Sequence, residues 1–329
     1  MNREFRQRIF KIKDKEEFNE LSLDIFKYQF VNNIIYKEYI TALGIAPASV
    51  KSPDEIPFLP VSFFKNRKIL TGTNSTETVF ESSGTTGQTT SSHYISDLSL
   101  YEESFVNGFK YFFGDPLDYL IAALLPSYAG RENSSLIYMM NSLIQKSRFP
   151  ESGFYNDDPL KLISTLEKIK TDRTKGILFG VSFALLDLAE KFHPDLSGLI
   201  VIETGGMKGR RQEITRKELH SILMSELNID KIHSEYGMTE LLSQAWSKGD
   251  GLFYCPPWMK VFIRDPQDPL FIFNKTGRTG GINIIDLANI NSCSFLAVND
   301  LGKLYDNGSF EVLGRLDNSD IRGCNLLVE

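Results

Sequence analysis

Residues 176–203 read GILFGVSFALLDLAEKFHPDLSGLIVIE, and this stretch decides the fold. A short apolar run at 176–181 is followed by a helical pattern at 183–192 and by a second apolar run at 199–203. Apolar runs separated by an amphipathic helix are typical of strand–helix–strand units in parallel sheets that are buried on both faces. The stretch therefore predicts an α/β fold.

The same alternation continues on both sides of this stretch. Toward the N-terminus the sequence predicts a strand at 119–125, a helix at 134–146 and a helix that opens at Asp158-Pro159. Toward the C-terminus it predicts a charged helix at 211–227 and a short strand at 231–233. Together these segments predict a mostly parallel sheet with helices on both faces.

The N-terminal part is predicted to be helical. Apolar residues recur at spacings of three and four from Phe18 to Tyr39, which indicates one long amphipathic helix. Four prolines between residues 46 and 60 end this pattern, because proline lacks the amide hydrogen that a helix needs. A further helix is predicted from Ser99, with Glu102 completing a capping box.

The chain changes character after about residue 251. Its segments become short and alternate between apolar and polar residues, with Gly and Asn turns between them, which predicts a smaller β-rich lobe. We therefore divide the chain into a helical N-terminal extension at 1–57, an α/β core at 58–250, and a β-rich distal lobe with a C-terminal acceptor segment at 251–329.

Composition excludes several classes of function. The chain has 329 residues and a net charge of -6, from 36 Lys+Arg against 42 Asp+Glu, with no long basic run. Nucleic acid is therefore not an expected partner. No stretch is apolar over the roughly 18 to 20 residues that cross a bilayer, so we expect no membrane span and a cytoplasmic location. Three cysteines without a CxxC pair argue against a disulfide framework and a structural zinc site.

The most informative motif is Ser82-Ser83-Gly84-Thr85-Thr86-Gly87-Gln88-Thr89-Thr90. Its two glycines allow the backbone to fold closely around an anion, and its hydroxyls are donors for phosphate oxygens. The motif matches neither a Walker A loop nor a GxGxxG fingerprint. It predicts a phosphate-binding loop, and composition alone leaves a polar surface loop as the alternative.

Two further motifs follow predicted strands. Residues 203–210 read ETGGMKGR and follow the run at 199–202, while residues 234–240 read SEYGMTE and lie between a short strand and a predicted helix. Ligands of open α/β sheets bind at the carboxyl ends of the strands. Glu240 supplies a carboxylate of the kind that binds Mg²⁺. Taken singly, each motif is also explained as an ordinary strand-to-helix turn.

Together the motifs resemble those of the acyl-adenylate-forming superfamily. SSGTTG at 82–87 is similar to the phosphate-loop signature of these enzymes, and EYGMTE at 235–240 is similar to their later YGxTE signature. Asp300 resembles the aspartate that the superfamily places on the ribose hydroxyls, and GRLD at 314–317 resembles its hinge motif. The resemblance implies the α/β fold of an adenylate-forming enzyme's N-terminal domain.

A more specific resemblance is to the acyl-protein synthetases of bacterial luminescence operons (LuxE type). It rests on ETGGMKGRR, SEYGMTELLSQAW, CPPWMKV and GRLDNSDIRGCNLL. The resemblance implies that ATP and Mg²⁺ activate a fatty acid, or another carboxylic acid, as an acyl adenylate with release of pyrophosphate. The acyl group then passes to a cysteine thiol, here Cys324, for delivery to an acyl-reductase or carrier partner. Cys255 and Cys293 are expected in the core.

The resemblance also implies a role for each motif residue. Thr239 at the α-phosphate and Glu240 at the magnesium ion form, with Cys324, the expected catalytic set. The β- and γ-phosphates are expected on Ser83, Gly84, Thr85, Thr86 and Gly87. The other expected nucleotide-binding residues are Gly205 and Gly206 at the adenine, Tyr236 and Gly237 in the second signature, and Asp300 and Arg315 at the ribose.

Two departures from the superfamily pattern leave alternatives open. The phosphate loop continues with Thr89-Thr90 where the superfamily usually has Pro-Lys, so Lys208, Arg210 or Arg211 either replaces the missing charge or forms a solvated helix start. The chain ends shortly after the hinge motif, so the C-terminal subdomain with a catalytic lysine is expected to be absent. The alternatives are transfer of the adenylate to CoA or a carrier-protein pantetheine, and a catalytically idle nucleotide-binding scaffold.

Overall fold

The computed structural model of the chain describes residues 3–82, 90–126, 133–206, 210–212 and 214–316. The predicted phosphate-binding residues Ser83, Gly84, Thr85, Thr86 and Gly87 and the predicted acceptor Cys324 lie outside the described residues.

Helices and strands alternate through the described residues. The α-helices are α1 (Arg3–Ile9), α2 (Lys15–Asn32), α3 (Ile34–Ala42), α4 (Leu98–Phe113), α5 (Ser135–Lys146), α6 (Pro159–Thr171), α7 (Ser182–Phe192) and α8 (Arg216–Leu227). The strands are β1 (Leu59–Pro60), β2 (Thr78–Glu81), β3 (Ser92–Ile95), β4 (Leu120–Leu124), β5 (Gly153–Phe154), β6 (Gly176–Val181), β7 (Ile200–Thr204), β8 (His233–Tyr236), β9 (Ala245–Ser247), β10 (Phe253–Tyr254), β11 (Met259–Arg264), β12 (Thr279–Asp286), β13 (Phe295–Leu304) and β14 (Phe310–Arg315). Short 3-10 helices occupy Pro47–Ser49, Pro53–Glu55, Val61–Lys65, Pro116–Asp118 and Leu287–Asn289.

The chain divides into two compact units. The first unit comprises Met1–Tyr101, Glu240–Ser243 and Tyr254–Glu329, and the second comprises Glu102–Thr239 and Gln244–Phe253. The boundary falls inside the second signature, because Thr239 belongs to the second unit and Glu240 to the first.

The second unit contains the parallel sheet that the sequence predicts. Its strands have the order β9–β8–β7–β6–β4–β5, in which β4 pairs in parallel with β5 and β6, β6 with β7, and β7 with β8. Strands β4 and β6 are buried at every position, as expected for strands covered on both faces. The predicted α/β fold with a mostly parallel sheet is confirmed.

Three helices that flank this sheet, α5, α6 and α8, begin at polar capping residues. The side chains of Ser134, Asp158 and Thr215 each accept a hydrogen bond from the backbone N–H three residues further on. Such caps satisfy amide groups that the first helical turn leaves without partners. The prediction that α8 begins near Arg211 is wrong, because its cap at Thr215 starts it at Arg216.

The first unit contains the predicted β-rich lobe and the N-terminal helices. Strands β11, β12, β13 and β14 form an antiparallel series, β1 pairs in parallel with β13, and β2 and β3 form a separate antiparallel pair. Short alternating segments with glycine turns predict antiparallel hairpins of this kind. No helix in the described ranges is both long and apolar enough to cross a bilayer.

The predicted single helix from Phe18 to Tyr39 is in fact two helices that meet at Asn33. The Asn33 side chain caps α3 by accepting a hydrogen bond from the Tyr36 N–H. Its amide nitrogen donates to the Ser292 carbonyl at 2.7 Å and to the Thr71 hydroxyl at 3.1 Å. These tertiary bonds fix an extended backbone at Asn33, and apolar periodicity carries no information about them.

Two further local predictions differ from the structure. Helix α4 begins at Leu98 rather than Ser99, and the Asp97 carboxylate accepts a hydrogen bond from the Leu100 N–H at 3.2 Å. The Glu102 carboxylate accepts a hydrogen bond from the Tyr138 hydroxyl at 2.5 Å instead of completing a capping box. The second signature begins inside β8, and a turn followed by the antiparallel strand β9 takes the place of the predicted helix.

Candidate functional site

Glu240 lies in the first unit with its carboxyl group buried, and only 6% of the residue is exposed. The Ser91 hydroxyl donates a hydrogen bond to this carboxyl, and the charges of Asp300 and Arg315 act on it. Burial raises the pKa of Glu240 and Asp300 adds to this effect, whereas the Ser91 bond and Arg315 oppose it. The structure therefore brings three predicted residues together: Glu240, Asp300 and Arg315.

Asp300 and Arg315 face each other across an antiparallel strand pair. Asp300 on β13 is the register partner of Arg315 on β14. A bond of 2.7 Å from the Leu316 N–H to the Asn299 carbonyl continues the pairing by one residue. Gly314 has φ of +148°, which a residue with a side chain rarely adopts. The strand pairing thus places the Asp300 carboxylate, which can accept hydrogen bonds from hydroxyl groups, beside the Arg315 guanidinium, which can donate them.

The main chain of Glu240 has a partner that the sequence reasoning missed. The Asn289 amide nitrogen donates to the Glu240 carbonyl at 2.8 Å. Ser91, whose hydroxyl meets the carboxyl, was missed as well, although it directly follows the phosphate-loop motif. Position next to a motif is the signal that indicates Ser91, whereas nothing in the sequence distinguishes Asn289 from other loop asparagines.

Asp286 holds the residues that follow Glu240. Its carboxylate accepts hydrogen bonds from the Leu242 N–H at 2.8 Å, the Ser243 N–H at 3.0 Å and the Ser243 hydroxyl at 2.6 Å. Burial raises the pKa of Asp286 to about 6, although these bonds act in the opposite direction. Asp286 is the only charged residue in INIIDLA at 282–288, and a charge within a mainly apolar run is the signal that indicates it.

Gly205 and Gly206 follow β7 in the second unit, next to a buried carboxylate. Gly205 has φ of +70°. The Ser182 hydroxyl lies 3.1 Å from the Glu203 carboxylate and 3.3 Å from the Gly205 carbonyl, so it links the strand end to the turn. Open strand ends with a glycine turn are places where a flat ligand ring can approach the backbone.

Glu203 remains charged in spite of its burial. Burial raises the pKa of Glu203, but the hydrogen bond with His220 and the charge of Arg216 outweigh it, so the pKa is lowered. Arg216 Nε and His220 Nε2 lie 3.4 Å and 3.5 Å from Glu203 Oε1. Both partners lie on α8, which therefore binds the end of β7 through this carboxylate. Glu203 is the first residue of the motif at 203–210, and the sequence pattern does not predict this function for it.

Tyr236, Gly237 and Thr239 also lie in the second unit. The Tyr236 side chain is buried, and its ring centroid lies 5.8 Å from that of Phe253. A Cβ atom at Gly237 would overlap the Glu235 carboxylate, so a larger residue there would require this carboxylate to shift. The Thr204 hydroxyl donates to the same Glu235 carboxylate at 2.5 Å. Thr239 is half-buried in the turn after the strand.

The described basic residues of the 203–211 motif have protein partners. Arg211 donates to Asp187, and its Nη2 lies 2.9 Å from Glu190 Oε2. These two carboxylates raise the pKa of Arg211, with the Glu190 bond as the largest contribution. The Arg210 guanidinium lies over the Phe183 ring, 5.1 Å from its centroid. Lys208, the third residue considered as a replacement for the missing lysine, lies outside the described residues.

The two described cysteines are poor nucleophiles. Burial raises the pKa of both Cys255 and Cys293 to about 12, which leaves very little thiolate at neutral pH. Cys293 is fully buried, and its thiol lies 3.5 Å from the Phe295 carbonyl. The predicted core position is confirmed for Cys293, whereas Cys255 is half-buried.

The described residues that could hold a magnesium ion are few. They contain no group of three or more His, Cys, Asp or Glu side chains arranged to bind a metal. Mg²⁺ at nucleotide sites is usually held by one or two carboxylates, with phosphate oxygens and water completing its shell. The Glu240 carboxyl, with the Ser91 hydroxyl beside it, fits this mode of binding.

Comparison with known proteins gives one relative along most of the chain. No family model matches the chain. It is 25% identical over 338 residues to the long-chain-fatty-acid–luciferin-component ligase of Aliivibrio fischeri. The aligned region covers 95% of this chain and 88% of that protein.

Two solved structures share the fold. The luciferase-like enzyme of the nonluminescent mealworm Zophobas morio has a TM-score of 0.50 and 18% identity, over 74% of this chain and 59% of that chain. A long-chain-fatty-acid–CoA ligase from Archaeoglobus fulgidus has a TM-score of 0.51 and 14% identity, over 72% of this chain and 51% of that chain. The chain thus spans between about half and three fifths of these solved proteins, and this likeness concerns the fold alone. The predicted resemblance is confirmed: the chain is similar along nearly its whole length to a long-chain-fatty-acid–luciferin-component ligase, and it shares the fold of a luciferase-like enzyme and of a fatty-acid–CoA ligase.

Proposed function

We propose that the chain is an ATP-dependent, AMP-forming ligase that activates a fatty acid as an acyl adenylate and releases pyrophosphate. The observation that carries the proposal is the meeting of Glu240, Asp300 and Arg315 in one unit, although they come from separate motifs. The relative named as a fatty-acid ligase, which aligns with 95% of the chain, supports the same activity and substrate class.

The chemistry explains why these side chains are needed. A carboxylate oxygen of the acid attacks the α-phosphorus of ATP, and the bond from that phosphorus to pyrophosphate breaks. The step joins two anions, so the site must compensate negative charge on the phosphate oxygens. Mg²⁺, when bound, supplies positive charge there, and Glu240 is the residue that would hold it. Thr239 precedes Glu240 and supplies a hydroxyl donor for the α-phosphate.

The remaining site residues bind the nucleoside. The Asp300 carboxylate accepts hydrogen bonds from the ribose hydroxyls, and Arg315 donates to the ribose from the facing strand. Gly205, Gly206 and Tyr236, with the glycine at 237, are proposed to contact the adenine. The loop residues 83–87 are proposed to bind the β- and γ-phosphates.

We propose Cys324 as the acyl acceptor. In this step the thiolate attacks the acyl carbon of the adenylate, a thioester forms, AMP leaves, and the thiol proton passes to solvent. The chain has three cysteines, and burial suppresses the thiolates of Cys255 and Cys293, which supports Cys324. An acyl-reductase or acyl-carrier partner would then receive the acyl group.

The first half-reaction is tested by exchange of labelled pyrophosphate into ATP. Short, medium and long fatty acids and aromatic acids are supplied one at a time with Mg²⁺, and a reaction without acid is the control. We expect exchange that depends on a fatty acid. Binding of ATP without exchange for any acid would contradict the proposal and favour the idle scaffold.

The acceptor is tested separately by intact-mass spectrometry after incubation with ATP and the acid that supports exchange. We expect one acyl group on the wild type and on the Cys255→Ser control, and none on Cys324→Ser, with exchange unchanged in all three. An acyl group on Cys324→Ser would overturn this acceptor. Acyl transfer only to added CoA or pantetheine would favour the alternative ligase.

A further inference from the structure

The segment Glu240–Ser243 is held in the first unit by two buried side chains. Asn289 donates to the Glu240 carbonyl at 2.8 Å, and Asp286 accepts from the Leu242 and Ser243 N–H groups at 2.8 and 3.0 Å. Asn289 and Asp286 are both completely buried. The backbone from the Glu240 carbonyl to Ser243, directly after the Glu240 side chain, is therefore fixed by buried hydrogen bonds with which water does not compete.

The segment at 289–294, which begins with Asn289, is itself fixed by Gln29 of α2 and by Asn33 at the end of that helix. Gln29 donates from its amide nitrogen to the Ile290 carbonyl at 2.9 Å, and its amide oxygen accepts from the Ser294 N–H at 3.0 Å. Asn33 donates to the Ser292 carbonyl at 2.7 Å. Because Gln29 and Asn33 are also completely buried, these bonds satisfy backbone groups of residues 290–294, which follow the 3-10 helix Leu287–Asn289 and lie outside any helix or strand.

A continuous set of buried hydrogen bonds thus runs from α2 through residues 289–294 to the main chain of Glu240. Removing one partner from such a set leaves a buried polar group unsatisfied, which is costly where water cannot replace it. The next residue to move would be Glu240, whose carboxyl must stay beside Ser91, Asp300 and Arg315 to act.

We propose that Asn289 and Asp286 are positioning residues for Glu240, and that Gln29 and Asn33 of the N-terminal helices support them. The inference rests on the proposed function for the role of Glu240, but the placement of the segment is measurable by itself. The N-terminal helices would then be part of the reaction site's support rather than an independent extension.

The test compares Asn289→Ala with Ser294→Ala by hydrogen exchange of the 240–243 amides. Ser294 lies in the same loop, and its buried hydroxyl has no hydrogen-bond partner among the described residues, so it is a matched control. We expect about tenfold faster exchange at Leu242 and Ser243 in Asn289→Ala, in line with the loss of one buried hydrogen bond. The control should retain wild-type protection.

Two activity measurements accompany the exchange experiment. Asn289→Ala should raise the Mg²⁺ concentration needed for half-maximal pyrophosphate exchange by about tenfold and leave the KM for the fatty acid unchanged. Unchanged protection at 240–243, or loss of protection throughout the first unit, would overturn the inference. If Asn289→Ala does not fold, Asn289→Ser replaces it with the same expectations. Wild-type protein without pyrophosphate exchange would refute the proposed function, while the amide measurement would still decide the positioning.

Discussion

Glu240 is the residue on which the proposed chemistry depends, and its environment disfavours its charge. Burial and the neighbouring Asp300 raise its pKa, and the hydrogen bonds to its carboxyl, together with the charge of Arg315, only partly oppose this. A buried carboxylate whose charge is disfavoured in this way is typical of a functional site. A neutral residue of the same shape at position 240 should therefore leave the fold stable but abolish most of the activity.

Replacing Glu240 with Gln should separate stability from activity. The side chain keeps its shape and loses the buried charge, so the melting temperature should stay the same or rise. Pyrophosphate exchange should fall by about 100-fold or more, as for the loss of a group that stabilises transition-state charge. Glu218→Gln, an exposed change on α8, is the control, and equal activity of the two variants would exclude Glu240 from the site.

His233 predicts how stability depends on pH. Burial lowers its pKa from 6.5 to about 4, and the charges of Lys231, Lys248 and His220 add to this effect. Between pH 6.5 and 4 the unfolded chain therefore binds more protons at this site than the folded chain does. The contribution of His233 to the free energy of unfolding should therefore fall by up to about 3 kcal/mol as the pH drops through that window.

The measurement is urea unfolding of wild type and His233→Gln at several pH values between 4 and 8. The variant should lose this part of the pH dependence, because glutamine does not titrate. His193→Asn is the control, since His193 is exposed and occupies a left-handed position that asparagine tolerates. If the free energies of unfolding of wild type and His233→Gln depend on pH in the same way, His233 is not the source of this pH dependence.

At the scale of elements, β11 and β12 are joined by a buried arginine lying over glycines. Arg264 is 5% exposed and donates to the Asn283 side chain at 2.8 Å, the Val298 carbonyl at 2.6 Å and the Ile282 carbonyl. A Cβ atom at Gly281 would lie 2.6 Å from Arg264 Cζ. The guanidinium has little freedom to move, because three acceptors hold it.

Gly281→Ala should therefore destabilise the protein by about 1–3 kcal/mol, as overpacked core sites do. Urea unfolding should show a lower midpoint with an unchanged slope. Gly153→Ala in β5 is the matched control, because its added Cβ meets no atom within 4 Å, and it should stay within about 0.5 kcal/mol of wild type. Equal urea midpoints for the two variants would show that the Arg264 side chain can shift away from residue 281 without lowering the free energy of unfolding.

At the scale of the whole molecule, the N-terminal helices share the core of the first unit. The Tyr36 ring stacks on Phe295 with centroids 5.9 Å apart, and Phe26 meets the same ring edge-on at 6.1 Å. Deleting residues 1–57 should expose this aromatic surface together with the loop at 289–294. The truncated chain should lose its cooperative thermal transition and near-ultraviolet circular dichroism. A truncated chain that melts like the full chain would contradict this.

Much of the second unit could be predicted from the sequence because its order is local. The strand predicted at 176–181 matches β6 residue for residue, and α5 and α6 begin at the caps Ser134 and Asp158. Such strands and helices bury one face or both faces, so the spacing of their apolar residues can be recognised in the amino-acid sequence. The resemblance likewise predicted Glu240, Asp300 and Arg315 as site residues, since they lie in short signatures, and the structure brings these three residues together.

The tertiary structure alone decided what holds those residues. Asn33 divides a continuous apolar stripe into two helices, and Asn289 and Gln29 bind carbonyls more than 45 residues away in the chain. The spacing of apolar residues indicates which residues face the core. The hydrogen-bond partner of a buried side-chain amide, in contrast, depends on how distant segments of the chain pack. The sequence by itself therefore determined the α/β pattern and named the chemical groups proposed for the site. Folding decided which neutral amides fix the positions of those groups, because a hydrogen bond depends on distance and direction in space.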